Sequence, residues 1–134
     1  QLSSYARAID TPSFRVMKKA LPGPYTFIVP ASSEIPRLFK NNKHTVGIRV
    51  PDHPIPLAIV AELGHALVVT SVHDEDEVLE YTTDPALIHE RVGHQVDVVI
   101  DGGIGGLEGS TVIDLTSGGP TVLREGRGPV EGLF

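Results

Sequence analysis

The sequence predicts an α/β protein with a mixed, twisted sheet and helices packed on it. Three observations support this prediction: short β-branched segments alternate with segments of helical periodicity, 14 Gly and 11 Pro residues separate them, and no repeat or linker-like stretch interrupts the 134 residues. Because strands that alternate with helices are joined by crossover connections, most strands are expected to be parallel. We expect a single domain over residues 1–134.

The first predicted helix follows an N-terminal signal. Thr11 followed by Pro12 is typical of a helix N-cap and first turn. The apolar face of this helix is expected to consist of Phe14, Met17 and Leu21. Because Gly23 and Pro24 interrupt helical structure, the helix is expected to end before them.

Two strands and a second helix follow along the chain. Residues 25–29 and 45–50 are rich in β-branched or aromatic side chains and each is followed by a proline, which predicts strands. Residues 35–40 form a helical turn at most. In residues 54–63 apolar side chains recur every four positions, so we predict a helix with Gly64 as its C-cap.

The second half of the sequence continues the alternation. Residues 66–71 and 97–100 are predicted to be buried strands, and a helix between them is expected to begin at Asp84 and Pro85 and to end at Gly93. Two further strands are predicted at residues 110–115 and 121–123, joined by a hairpin-like turn.

Charge is distributed unevenly along the chain. The net charge is −6, but residues 1–50 carry a net charge of +6 and residues 51–134 a net charge of −12. A basic segment attracts polyanions such as nucleotide phosphate or RNA whatever the overall charge, because the local field acts on the ligand. Two solvated faces of opposite sign explain the same pattern, so both interpretations stay open.

The absence of cysteine limits the chemistry open to the chain. Disulfides, Cys-ligated zinc, iron–sulfur clusters and thiol nucleophiles are excluded, which agrees with a reducing, cytoplasmic compartment. No apolar run approaches the roughly 20 residues that cross a bilayer, so no membrane partner is expected.

Three local motifs resemble known kinds of binding site, but no site is assigned to any of them. His89 and His94 stand five positions apart, so they do not share the helical face that zinc ligation requires. The glycines of residues 102–109 lack the spacing of a dinucleotide-binding loop, and a strand rather than a helix follows them. A cation site at residues 73–76 is an alternative to a solvated acidic loop, which we favour. No metal ligand and no catalytic side chain is therefore assigned.

Arginines and hydroxyl side chains at predicted strand ends form the main candidate site. Thr45 and Arg49 alternate to the same face of one strand, Ser71 ends the next, Ser110 opens another and Arg124 ends the last. Ligands of open α/β sheets bind beyond the carboxyl ends of the strands, so these side chains are expected to lie close together. Two guanidinium groups with several hydroxyls predict a site for carboxylate or phosphate. For each of these residues taken singly, capping or the polarity of a strand also explains why it is present.

Four segments of the sequence resemble the YrdC/YciO family, and together they span nearly the whole chain. They are residues 19–28 (KALPGPYTFI), 45–51 (TVGIRVP), 110–116 (STVIDLT) and 123–126 (LREG). The resemblance implies the YrdC/DHBP-synthase-like fold. The Lys-x-Arg segment at the N-terminal end of this family is not among the 134 residues. We therefore interpret residues 1–134 as the larger, C-terminal part of a YrdC-like domain that is truncated at its N-terminus.

The founding activity of this family is threonylcarbamoyl-AMP synthesis, the first step of threonylcarbamoyladenosine formation in tRNA. The resemblance implies a nucleotidyltransferase that joins L-threonine, bicarbonate and ATP, uses Mg²⁺ and releases pyrophosphate. It implies nucleotide contacts for Thr45, Ser71 and Arg124 and threonine contacts for Arg49 and Ser110. Because a carbamate oxygen attacks the α-phosphorus, no protein nucleophile is needed, and catalysis consists mainly of positioning and charge neutralisation.

One segment departs from the pattern of the active synthases. Their Ser-Ala-Asn is replaced by Ser71, Val72 and His73, which is closer to the YciO branch. The alternative hypothesis is a non-catalytic module of the same family that binds nucleotide or RNA, either tRNA or double-stranded RNA. The basic residues of the first fifty positions would supply the phosphate contacts of this module.

Overall fold

Four strands form one sheet in the residues that the computed structural model describes, which are 2–36, 42–72 and 80–134. The strands are β1 (Tyr25–Pro30), β2 (Thr45–Arg49), β3 (Thr111–Asp114) and β4 (Thr121–Arg124), in the order β2-β1-β3-β4. Strands β1 and β3 are parallel, whereas β1–β2 and β3–β4 are antiparallel. The prediction of a mixed sheet is confirmed. The expectation of a mostly parallel sheet is wrong, because β2 and β4 each run back beside their neighbour.

Four α-helices accompany the sheet in the described ranges. They are α1 (Leu2–Tyr5), α2 (Thr11–Ala20), α3 (Pro54–Leu63) and α4 (Pro85–Val92). The bounds predicted for α3 are confirmed, and Gly64 ends it in the left-handed conformation at φ 75°. The predicted start of α4 is confirmed as well, since Asp84 caps it through a bond from the Ala86 N–H. None of the helices among the described residues has the length and apolar character needed to span a bilayer.

The N-terminus of α2 lies one residue from the predicted cap. Asp10, not Thr11, is the N-cap, and its Oδ1 accepts a hydrogen bond of 2.7 Å from the Ser13 N–H. Hydrogen bonding with Ser13 holds the pKa of Asp10 below its usual value, because these bonds favour the charged carboxylate.

The apolar face of α2 also differs from the prediction. Phe14 is 54% exposed, and Leu21 leaves the helix in an extended conformation. The buried face consists of Ser13, Val16, Met17 and Ala20. The prediction for Phe14 is wrong because the buried stripe of the helix runs through Val16, Met17 and Ala20. Phe14 lies outside this stripe and faces the solvent.

One face of the sheet packs against α2 to form the core. Along β1, Tyr25, Phe27 and Val29 are buried, while the residues between them are only half-buried. Phe27 and Ile113 are completely buried in one cluster with the α2 residues. Burial of each such side chain stabilises the fold by about 1.5–3 kcal/mol. The opposite face of the sheet carries Thr26 and its neighbours and remains partly accessible.

Contacts between residues divide the chain into two compact units. The first combines Gln1–His65 with Gly109–Phe134 and contains the whole sheet, and the second is Ala66–Glu108. Within the second unit the Arg91 guanidinium lies 4.4 Å from the centre of the Tyr81 ring. The prediction of one domain over residues 1–134 stays a prediction.

The strands predicted at residues 66–71 and 97–100 are absent from the structure, and this prediction is wrong. Both segments are irregular, and Val68, Val69 and Val98 are each more than 70% exposed. A β-branched composition indicates that a segment fits a half-buried pleated surface, but a strand also needs a partner strand. Neither segment pairs with another strand in the described part of the chain. The turn predicted at 35–40 lies mostly outside the described residues, as does the acidic loop at 73–79.

Candidate functional site

Two arginines lie at the two ends of one row of paired residues that crosses the sheet. Arg49 pairs with Thr26, Thr26 with Val112, and Val112 with Arg124. Paired residues of neighbouring strands point to the same face, so Arg49 projects from the face opposite the core. A register shift between Val112 and Ile113 interrupts the alternation of β4 before it reaches Arg124. Three strand spacings separate the Cα atoms of the two arginines by roughly 14 Å. Both residues are exposed, so this end of the sheet carries two positive charges, one on each edge strand.

The Arg124 guanidinium is fixed against the backbone before β3. Its Nε and Nη2 atoms donate to the carbonyl oxygen of Ser110 at 3.2 and 2.8 Å. A Cβ atom on Gly109 would lie only 3.0 Å from Nη2, so glycine leaves room for this approach. A guanidinium has five N–H groups, and the three that remain are available to an anion.

The Ser110 side chain is held by a residue that the sequence analysis missed. Ser110 is buried, and its Oγ lies 2.7 Å from Oγ1 of Thr26. The alternation of side chains along β1 could have indicated this role for Thr26. If Tyr25 and Phe27 face the core, Thr26 must point to the opposite face of the sheet. The hydroxyl pair places the Ser110 side chain on the same face as Arg49.

A network of backbone contacts joins the segment that follows β4 to the start of β3. The Gly126 N–H donates to Thr111 Oγ1 at 3.0 Å, and Thr111 Oγ1 donates to the Gly128 carbonyl at 2.5 Å. The Arg127 N–H donates to the Gly109 carbonyl at 2.9 Å. These bonds fix the backbone on both sides of the Arg124–Ser110 contact. The sequence analysis missed Gly126 as a supporting residue.

Thr45 lies at the other end of β2 from Arg49. The register pairs it with Pro30 and places it on the same face as Arg49, which confirms the predicted alternation. Four residues of extended strand separate Thr45 and Arg49 by roughly 13 Å. Thr45 also lines a cleft of about 950 Å³ at that end of the sheet.

The prediction that the site lies beyond the carboxyl ends of the strands is wrong for half of the sheet. Arg49 and Arg124 do end β2 and β4. These strands run antiparallel to β1 and β3, so the same end of the sheet holds the amino ends of β1 and β3. Thr26 lies near the amino end of β1, and Ser110 precedes β3. The rule applies to parallel sheets, and only one pair of strands is parallel here.

Ser71 belongs to the second unit, whereas the other four predicted site residues belong to the first. Its side chain is exposed and lies in the irregular segment that follows residue 66. The structure thus brings Arg124 and Ser110 into contact and places Arg49 and Thr45 on the face of the sheet to which the Ser110 side chain points. A contact of Ser71 with nucleotide stays a prediction.

The carboxylate of Asp114 lies on the same face of the sheet as Thr26. Asp114 accepts hydrogen bonds from the Thr116 N–H at 2.7 Å and from its hydroxyl at 2.6 Å, which occupy its Oδ1 atom. No group of three or more His, Cys, Asp or Glu side chains that could hold a metal comes together in the described ranges.

Comparison with known proteins agrees with this architecture. The Sua5/YciO/YrdC family model, which carries the description "Telomere recombination", matches residues 1–126. A Haemophilus influenzae protein of uncharacterized function is 43% identical over 129 residues, which cover 96% of this chain and 62% of that protein. The crystal structure of Escherichia coli YciO superposes with a TM-score of 0.91 at 40% identity, over 99% of this chain and 64% of that one. Pyrococcus abyssi Sua5 complexed with L-threonine superposes with a TM-score of 0.83 at 30% identity, over 94% of this chain and 37% of that one.

The fold and the row of paired residues define an α/β protein with two arginines at one end of a mixed sheet. The chain belongs to the Sua5/YciO/YrdC family. This family includes threonylcarbamoyl-AMP synthases. The chain spans less than two thirds of the length of the Haemophilus influenzae and Escherichia coli proteins that it matches.

Proposed function

We propose that this chain holds the nucleotide and threonine sites of a threonylcarbamoyl-AMP synthase, which serves threonylcarbamoyladenosine formation in tRNA. The contact between Arg124 and Ser110 carries the proposal, because it joins a residue assigned to nucleotide to a residue assigned to threonine. The threonine complex of Pyrococcus abyssi Sua5, which shares this fold, supports threonine as the amino-acid substrate.

Each proposed role follows from the chemistry of the side chain. Arg49 is exposed at the sheet edge and takes the threonine carboxylate through two parallel N–H bonds. Ser110, oriented by Thr26, bonds the amino acid with its hydroxyl. Arg124 directs its remaining N–H groups to phosphate, and Thr45 and Ser71 donate hydroxyl bonds to the nucleotide.

The reaction requires positioning rather than a protein nucleophile. The threonine amine and bicarbonate form a carbamate with loss of water, and a carbamate oxygen then attacks the α-phosphorus of ATP. The bond from that phosphorus to the bridging oxygen breaks, and pyrophosphate leaves. Mg²⁺ enters with ATP as part of the substrate. The protein brings the two substrates together and Arg124 offsets the negative charge at phosphorus.

The decisive assay measures pyrophosphate release with threonine, bicarbonate and Mg–ATP. Arg49→Ala and Arg124→Ala each remove a charge-assisted bond worth about 1.5–3 kcal/mol, so kcat/KM is expected to fall roughly 10- to 150-fold. Arg15→Ala is the matched control, because Arg15 is an exposed arginine on α2, on the core side of the sheet. The proposal is overturned if release does not depend on threonine, or if all three variants keep the wild-type rate.

A second candidate function is a module that binds nucleotide or RNA without adenylating threonine. The net charge of +6 on residues 1–50 favours it, because phosphate contacts made by basic side chains supply salt-dependent affinity. This function predicts that the chain binds tRNA or double-stranded RNA with an affinity that falls steeply with salt, and that no pyrophosphate is released.

A further inference from the structure

Segment 126–133, which begins two residues after Arg124, is anchored to the core at its far end. The segment contains neither helix nor strand. Leu133 is nevertheless buried in the core cluster, and the Lys19 ammonium donates to the Gly132 carbonyl. The backbone that follows the last arginine of the sheet is therefore attached to α2 and to the core.

Two buried hydroxyls hold the near end of the same segment. Tyr25 and Thr111 are paired residues of β1 and β3, so both side chains point to the core face of the sheet. Thr111 Oγ1 bonds both the Gly126 N–H and the Gly128 carbonyl. The Tyr25 hydroxyl donates to the Pro129 carbonyl at 2.9 Å. Three backbone groups of the segment are thus bonded by two side chains of the core face.

Close packing at Gly128 keeps the segment against the Tyr25 ring. Gly128 is buried, and a Cβ atom added to it would lie 2.5 Å from Cε1 and 2.7 Å from Cζ of Tyr25. The backbone therefore lies directly against the ring whose hydroxyl bonds the next residue. Tyr25 determines the path of the segment both by contact and by its hydrogen bond.

These anchors reach Arg124 through one peptide unit. The Ser110 carbonyl, which accepts two hydrogen bonds from the Arg124 guanidinium, belongs to the same peptide unit as the Thr111 N–H. That N–H donates to the Pro24 carbonyl at 3.0 Å. Thr111 thus holds the acceptor of Arg124 through its backbone and the chain after Arg124 through its hydroxyl. Because an ordered side chain loses less freedom when a ligand binds, Arg124 is prepared for an anion.

The residues assigned to threonine do not depend on this segment. Arg49 lies on β2, which is the edge strand on the other side of the sheet from β4. The Ser110 hydroxyl is held by Thr26, which points to the face opposite Tyr25. A change that loosens segment 126–133 is therefore expected to act on Arg124 and to leave the threonine contacts in place.

We propose that Tyr25 and Thr111 are positioning residues for Arg124. Their hydroxyls hold segment 126–133 and thereby keep the guanidinium ordered before a nucleotide phosphate binds it. The inference rests on the proposed function, in which Arg124 contacts the nucleotide. Both hydroxyls act through the backbone and neither contacts substrate.

Calorimetric titrations with Mg–ATP and, separately, with L-threonine test this assignment without requiring turnover. Tyr25→Phe keeps the ring and removes the bond to Pro129, whose exposure lets water bond the freed carbonyl, so the fold is expected to persist. Mg–ATP affinity is expected to fall roughly 2- to 12-fold, which is the cost of ordering one long side chain on binding, while L-threonine affinity stays at the wild-type value.

Variants of Thr111 and a matched tyrosine complete the design. Thr111→Val removes both hydroxyl bonds and is expected to lower Mg–ATP affinity by at least as much, whereas Thr111→Ser keeps the hydroxyl and restores it. Tyr81→Phe is the control for Tyr25→Phe, because Tyr81 belongs to the second unit, and wild-type affinity for both ligands is expected. Thermal melts establish that each variant is folded before it is titrated.

The outcomes separate this inference from the proposed function. If Arg124→Ala weakens Mg–ATP binding but Tyr25→Phe and Thr111→Val do not, the inference is wrong and the proposed function stands. If Mg–ATP and L-threonine affinities fall together in Tyr25→Phe, the hydroxyl supports the fold in general and the inference is wrong. If Tyr25→Phe weakens only Mg–ATP binding but no threonine-dependent pyrophosphate is released, the inference stands and the proposed function fails. If Arg124→Ala keeps the wild-type Mg–ATP affinity, the nucleotide role of Arg124 and this inference fail together.

Discussion

A methyl group added at Gly126 tests the backbone contact on which the candidate site depends. The Cβ atom would lie 2.3 Å from the Gly109 carbonyl oxygen and 2.9 Å from that of Ser110, whereas carbon–oxygen contacts normally stay above about 3.3 Å. Both neighbours are backbone atoms, so the two segments must separate by roughly 1 Å. That separation breaks the bond from the Arg127 N–H to Gly109 and the bond from the Gly126 N–H to Thr111.

The cost follows from these losses. Two hydrogen bonds contribute about 1 kcal/mol each, and overpacking adds about 1–3 kcal/mol, so Gly126→Ala is expected to lower the free energy of unfolding by about 3–5 kcal/mol. For a chain of this length that loss lowers Tm by roughly 10–18 °C. The Arg124–Ser110 contact shifts with the same backbone, so nucleotide affinity is expected to fall as well.

Urea and thermal unfolding followed by circular dichroism measure the effect on stability. Gly119→Ala is the matched control, because no heavy atom lies within 4 Å of its added Cβ, and its free energy of unfolding is expected to stay within about 0.5 kcal/mol of wild type. If Gly126→Ala and Gly119→Ala unfold at the same urea concentration, the close approach of the two segments is refuted, and with it the argument that fixes Arg124.

Three further changes test separate contacts. Thr26→Val removes the hydroxyl beside Ser110 and is expected to weaken L-threonine binding in calorimetric titrations by up to about tenfold, whereas Thr26→Ser keeps the affinity; equal loss in both variants would contradict the role of the hydroxyl. Because hydrogen bonds from Ser13 lower the pKa of Asp10, the carboxylate stabilises the fold at pH values above its ordinary pKa, and this contribution is lost as the pH falls through the lowered value. Thermal melts at decreasing pH should therefore show a smaller loss for Asp10→Asn than for wild type. Gly64→Ala places a side chain at φ 75° and is expected to cost about 1 kcal/mol in urea unfolding, and an unchanged midpoint would contradict the left-handed cap of α3.

Elements with local signals at both ends were predicted from the sequence. Helix α3 was predicted with its bounds because prolines occur in its first turn and Gly64 takes a conformation that other residues avoid. Strand β1 was predicted to within one residue because aromatic and β-branched side chains make up the segment and Pro30 closes it. The segments at 66–71 and 97–100 have the composition of strands but no partner in the described residues, and composition carries no information about a partner.

The candidate site could be predicted only where its geometry is local. Thr45 and Arg49 lie on one strand, so alternation alone placed them on one face. The bond between Thr26 and Ser110 joins residues 84 positions apart, and no periodicity relates them. The same holds for Gly126, whose approach to Gly109 depends on how two strands pack.

The direction of β2 determines which residues lie at the same end of the sheet as Arg49. In the antiparallel arrangement Arg49 pairs with Thr26, and through Thr26 it is connected to Ser110 and Arg124. If β2 ran parallel to β1, Arg49 would lie beside the other end of β1, near Pro30, roughly 13 Å from Thr26. These residues therefore share one end of the sheet because the sheet is mixed, with two strand ends and two strand starts meeting there. The sequence does not encode this direction locally, because the connection between β1 and β2 has neither the length of a hairpin turn nor the periodicity of a crossover helix.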